Sequence, residues 1–132
     1  MTGSALRTDD SRGSTTFWVA ATILAFVAML GVNALANLLP IAGRETGDVS
    51  ANYPILVTPA PFTFSIWGVI YLALAVFVVY QALPAGRTAN LNRVRQRFVL
   101  SCAFNIGWLR AWHNLLIPLS QLLMFGLLAT LI

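Results

Sequence analysis

FWVAATILAFVAMLGVNALANLL, from Phe17 to Leu39, contains no charged side chain. As one α-helix it is long enough to cross the roughly 30 Å hydrocarbon core of a bilayer. Its surroundings decide between a buried core helix and a membrane span. Further apolar stretches follow at Thr63 to Leu83, Phe98 to Trp112 and Leu115 to Ile132. The third is short, but Asn90 to Arg97 reads as helix and extends the span back to about Val94, with long arginine side chains snorkelling to the headgroups. Of the 132 residues 58% are apolar and 9% are charged, against about 25% charged in soluble globular chains. The expectation is an all-α, polytopic transmembrane bundle of four helices. A polar segment, Met1 to Thr16, has too little apolar surface to fold alone and is expected to be a mobile tail.

All 8 basic residues are arginine. Arg7 and Arg12 precede the first span, and Arg87, Arg93, Arg95 and Arg97 lie between or flank the second and third. The intervening loop, residues 40–62, carries Arg44 beside Glu45 and Asp48. The positive-inside rule therefore puts the N-terminus and residues 84–93 in the cytoplasm and the first loop outside, as expected for a bacterial cell membrane protein. Arginines that flank apolar spans do not describe a nucleic-acid surface. A competing reading takes the first span with Ala34-Leu35-Ala36 as a signal peptide, although the run exceeds the usual 7 to 15 apolar residues of about that kind of segment.

Asn33 and Asn37 lie one helical turn apart at the end of the first span. The preferred reading has them meeting interfacial water; the other has them bonding to a neighbouring helix. The loop that follows is long for a compact bundle, and reads either as a solvated connector or as a lid. Thr58-Pro59-Ala60-Pro61 opens the second helix, with Thr58 as cap and Pro59 and Pro61 pre-shaped for a first turn. The short turn at Trp112-His113-Asn114 makes the last two helices antiparallel neighbours.

Chemistry is concentrated in two stripes. Phe64, Trp67, Tyr71, Leu74 and Val78 recur at helical spacing on the second helix, and Ser101, Asn105, Trp108 and Trp112 do so on the third. Facing one another, they would wall a cavity for a planar hydrophobic ligand with a few polar groups. Ordinary packing plus interfacial aromatic belts, Trp112 among them, explains the same spacing. Asn105 in mid-helix must find protein partners. His113 could hold a haem iron but reads as an interfacial polar residue, and Cys102 as a small packing residue. No span contains a carboxylate, and no catalytic constellation or metal-ligand spacing is visible.

Two of these segments resemble the tryptophan-rich sensory protein family (TspO/MBR), which includes the mitochondrial translocator protein. Thr58-Pro59-Ala60-Pro61-Phe62-Thr63-Phe64-Ser65-Ile66-Trp67-Gly68-Val69-Ile70-Tyr71 is similar to its proline-rich start of helix two, and Asn105-Ile106-Gly107-Trp108 to its Asn-x-x-Trp on helix three. The resemblance implies a five-helix bundle that binds porphyrins or other flat hydrophobic molecules under the first loop. It favours ligand contacts at Trp67, Tyr71, Asn105 and Trp108, with Phe64 on the same stripe by spacing, while Asn33, Asn37, Pro59, Pro61 and Trp112 keep the structural or interfacial roles read from their positions. No cofactor is required, a porphyrin or haem-like molecule being the ligand; the other partners are the lipid bilayer and, through an unsatisfied helix face, a second copy. A permease fragment and tryptophan-assisted porphyrin breakdown are the alternatives. Phe64 to Trp67 is one residue shorter than the family's spacing, and Phe62 replaces a Trp or Tyr. The chain stops at Ile132 in an apolar run, so the expectation is a shortened or divergent member. Arg95-x-x-Phe98-x-Leu100 fits a reversed sterol pattern only.

Overall fold

A computed structural model describes residues 2–39 and 61–132, with side chains from Asp10 onward except those of Asn37, Pro61 and Phe64. Four helices follow in order: α1 (Thr2–Leu38), α2 (Ile66–Ala82), α3 (Asn92–His113) and α4 (Ile117–Leu131). Short 3-10 turns, Pro61–Ser65 and Ala89–Leu91, lead into α2 and α3. Among the described residues there is no strand. Thr58, Pro59 and the rest of the expected loop fall outside the described residues.

Hydroxyls inside these apolar helices are satisfied by their own helix. Thr22 donates to the Trp18 carbonyl at 2.7 Å, Ser101 to Phe98 at 2.7 Å, Ser120 to Ile117 at 2.8 Å and Thr130 to Leu127 at 2.6 Å. A side chain that returns its hydrogen to the preceding turn leaves no unmet donor on an apolar helix face. α2 ends where Leu83 turns extended (φ −71, ψ 156), the conformation that the following Pro84 imposes on its neighbour. α3 ends in a Schellman motif, with the Leu116 amide on the Ala111 carbonyl at 2.9 Å and the Leu115 amide on Trp112 at 3.1 Å. Leu115 itself occupies the left-handed position that glycine usually takes, at φ 59. Pro118 sits in the first turn of α4, where an amide hydrogen has no helical use.

α3 is the hub, packed by α1 on one side and by α4, its antiparallel neighbour, on the other; α2 lies chiefly against α1. The α3–α4 seam is close because Gly126 lets the Phe104 ring lie on the α4 backbone, where any Cβ would collide with it. Two apolar layers form the interior. Phe26, Met29, Val78, Phe98 and Cys102 make one, and Ala36, Trp108 and Leu109 the other.

Several expectations are corrected. α1 does not begin at Phe17 behind a loose tail: the helix runs from Thr2, and Thr15 is buried, its hydroxyl on the Ser11 carbonyl at 2.8 Å and within 3.4 Å of the Asn92 amide. At Thr15 the start of α3 supplies a contact that composition alone did not show. The entry to α2 at Pro61 is a 3-10 turn that passes into α-helix at Ile66, while Thr58, Pro59 and Ala60 lie outside the described residues. Arg95 does not snorkel; it is fully buried. His113 is fully buried as well, its Nδ1 2.9 Å from the Leu109 carbonyl. Cys102 is the small buried packing residue expected.

Among the described residues one helix is long and apolar enough to cross a membrane, over Asp10–Ala36, and only 33% of its most apolar window is buried. A core helix of a water-soluble protein would hide most of that surface. α2 and α4 are apolar but shorter. They too turn large apolar side chains outward, among them Val69, Leu72 and Val76 on α2 and Leu122, Phe125 and Leu128 on α4.

Candidate ligand cavity

Between the two apolar layers, at one level of the bundle, lie three polar side chains from three helices. Asn33 of α1 donates its amide hydrogens to the Met29 carbonyl at 2.9 Å and to Asn105 Oδ1 of α3 at 3.0 Å. The Tyr71 hydroxyl of α2 donates to Asn33 Oδ1 at 2.6 Å. Asn33 and Asn105 are both buried. Each polar group meets a complementary one, which removes the penalty of sequestering an amide among apolar side chains. Asn33 therefore leaves the interfacial-water reading for the interhelical one, since packing of α1 on α3 brings Asn105 within its reach. The side chain of Asn37 lies outside the described residues.

Beside this knot a cavity of about 340 Å³ opens between α2 and α4. Trp67, Tyr71 and Leu74 form one wall, and Met124, Phe125 and Leu128 the other; Met29, Ser101 and Asn105 close the back. Its rim is lipophilic and exposed, carrying Ile70, Phe125, Leu128 and Leu131. That volume is at the lower end of the roughly 300 to 1,000 Å³ typical of small-molecule sites. The lining is almost wholly apolar, with the phenol, the amide and the Ser101 hydroxyl as its polar points.

The aromatic residues form a ladder behind the wall. Trp67 lies 5.9 Å from Tyr71 and stacks on Trp108 at 5.5 Å with 27° between planes; Trp108 stacks in turn on Trp112 at 6.0 Å and 25°. Ring pairs at such separations fix one another's orientation. Of the residues singled out in the sequence, Trp67, Tyr71 and Asn105 thus come together on the cavity wall. Trp108 is buried behind Trp67 and Trp112 extends the stack, away from the cavity lining. Phe64 and Pro61 have undescribed side chains, and Pro59 lies outside the described residues.

Sequence reasoning passed over the α4 wall, whose Met124, Phe125 and Leu128 look like any lipid-facing helix, and over Met29. It also gave Asn33 no link to Tyr71 and Asn105. The available signal was the pair of mid-helix amides, each of which needed a partner that the other supplies. Among the described residues no group of His, Cys, Asp or Glu is arranged to hold a metal.

No curated protein and no solved structure gives a significant match to this chain. The family model described as TSPO-like protein matches residues 18–132, taking in all but the start of α1, the whole of α2 to α4, and every residue that lines the cavity. The chain belongs to the TSPO-like protein family.

Proposed function

We propose that this protein is a four-span helical membrane protein that binds or senses a flat hydrophobic molecule of the tetrapyrrole class in the cavity between α2 and α4. The observation that carries the reading is the cavity itself: an indole and a phenol, oriented by stacking and by hydrogen bonds, on the wall of an apolar space with few polar points. A planar macrocycle offers large faces to such rings and a few peripheral polar groups to Tyr71 and Asn105. Family membership supports a ligand-binding membrane protein.

Lipid is the solvent that best accounts for the outer surface. With outward apolar faces on α1, α2 and α4, a water-soluble state would expose patches far beyond those of ordinary monomers. α3, at 22 residues, spans about 33 Å. α2, at 17 residues, spans about 26 Å, and its leading 3-10 turn lengthens it.

Titration of the purified protein with protoporphyrin, followed by quenching of tryptophan fluorescence, tests the ligand. Saturable binding in the micromolar range or tighter is expected, and absence of saturation in a folded sample rejects the assignment. Light- and oxygen-dependent loss of the porphyrin spectrum in the same cuvette would mark breakdown of the bound molecule. The membrane topology has its own test: in a background without Cys102, a cysteine at Ser50 reacts with an impermeant thiol reagent on intact cells and one at Thr88 does not. Equal labelling of both from outside contradicts the proposed orientation.

A further inference from the structure

A second cavity, about 430 Å³, lies at the opposite end of the bundle. Ser11, Arg12, Thr15 and Thr16 of α1 form one side, and Arg87 and Ala89 of the α2–α3 connection the other. Two arginines thus address one space from separate segments, and among the described residues no carboxylate lines it. Asp10 is exposed to solvent outside that lining.

The cleft is held in shape by Arg95. Arg95 donates Nε to Gln81 Oε1 at 2.8 Å, Nη1 to the Thr88 carbonyl and Asn92 Oδ1 at 2.8 Å each, and Nη2 to the carbonyls of Gly86 at 2.8 Å and Gln81 at 3.2 Å. All five donors of the guanidinium meet neutral oxygens, so its charge is hydrogen-bonded but not neutralised. Arg87 lies between two of the gripped residues, Gly86 and Thr88, so the same clamp sets the position of its backbone. Asn92 connects the clamp to Thr15, which is 6% exposed, on the facing wall. Arg12 and Arg87 thus face one cleft while the buried Arg95 holds the backbone on either side of Arg87, and among the described residues no carboxylate joins the lining.

We propose that this cleft binds a phosphate group, held by Arg12 and Arg87 with Thr16 of α1 beside them. Guanidinium groups bind phosphate through paired N–H donors. A phospholipid headgroup and a free phosphate share that chemistry. The site is distinct from the aromatic cavity: Thr16 and Met29 are 13 positions apart on α1, or about 20 Å.

The full chain is placed in nanodiscs of phosphatidylcholine with graded phosphatidylglycerol, and retained lipid is counted by native mass spectrometry. In a parallel arm inorganic phosphate is added to phosphatidylcholine discs at constant ionic strength, and the thermal midpoint is followed. Preferential retention of phosphatidylglycerol that phosphate does not displace identifies the headgroup; stabilisation by phosphate, with displacement of phosphatidylglycerol, identifies the free anion. In either case Arg12→Gln and Arg87→Gln should each weaken the effect about fivefold, the usual effect of one basic residue near anionic lipid. Arg110→Gln, exposed at the other end of α3, should leave it unchanged, and helical content should be the same in all variants. Indifference of the wild type to both phosphatidylglycerol and phosphate overturns the proposal. So does wild-type behaviour of both arginine variants.

Discussion

Two polar knots interrupt this apolar molecule, and they are built on different terms. The knot around Arg95 takes one cation and answers each of its five hydrogens with an oxygen from the end of α2, the connection or the start of α3. The knot of Asn33, Tyr71 and Asn105 uses neutral groups from three helices and borders an open cavity. The first is closed on itself and has no donor left for a ligand. The second borders open space, with Tyr71 and Asn105 both on the cavity lining. Saturation marks the structural knot, and an adjoining void sets apart the proposed recognition site.

Breaking the closed knot should have the largest consequence for stability. Arg95→Met strands several carbonyls and the Gln81 side chain, each costing about 1 to 3 kcal/mol when left buried without a partner, so a loss of about 3 kcal/mol is expected in detergent unfolding. Arg95→Lys should restore only part, because an ammonium lacks the planar fork. A near-wild-type midpoint for Arg95→Met would show that water replaces the guanidinium there. Gly86→Ala attacks the same knot without touching charge: a Cβ would overlap the Tyr80 carbonyl oxygen. Overpacking of that kind costs about 1 to 3 kcal/mol.

The open knot should tolerate more. Asn33→Ala removes bonds to two neighbouring helices and should lower stability by about 1 kcal/mol, in line with the modest worth of interhelical hydrogen bonds in membranes. Because Tyr71 and Asn105 both lose their Asn33 partner, porphyrin affinity should fall with it; unchanged affinity would separate the network from the site. The smallest change expected is a gain. Leu115→Gly relieves a left-handed leucine in the Schellman turn, and after the entropy of the extra glycine about 0.5 kcal/mol should remain. A loss of stability on that substitution would show that packing of the Leu115 side chain outweighs the backbone strain.

The helical class and the positions of α2, α3 and α4 were legible because apolar runs bounded by proline, arginine and polar turns leave few alternatives. The α3–α4 hairpin followed from the shortness of its turn. Side chains whose role depends on what comes opposite were less legible. Arg95 carries the same letter as Arg93 and Arg97, which are exposed; its partners are the Gln81 carbonyl at the end of α2 and the Gly86 and Thr88 carbonyls of the connection that follows the Leu83–Pro84 break. Gln81, alone in an apolar run, was the sequence's hint of that partner. Asn33 could be read as a helix end meeting water until the crossing of α1 and α3 placed Asn105 beside it. The stripe Trp67–Tyr71 was visible from periodicity, whereas the division between Trp67 on the cavity wall and Trp108 behind it depends on the rotation of α3, which spacing does not specify.

The central claim is that Trp67 belongs to a ligand-binding wall and is more than a packing residue. Its most direct test is protoporphyrin titration of Trp67→Ala beside Trp18→Ala, which removes an indole near the middle of α1, about 17 Å from Met29 by helical rise. Stacking adds about 0.5 to 1.5 kcal/mol to the burial of apolar surface, so Trp67→Ala should raise the Kd at least about tenfold while Trp18→Ala leaves it unchanged, with Trp67→Phe intermediate. Equal affinities for wild type, Trp67→Ala and Trp18→Ala, in samples of unchanged helical content, would contradict the account.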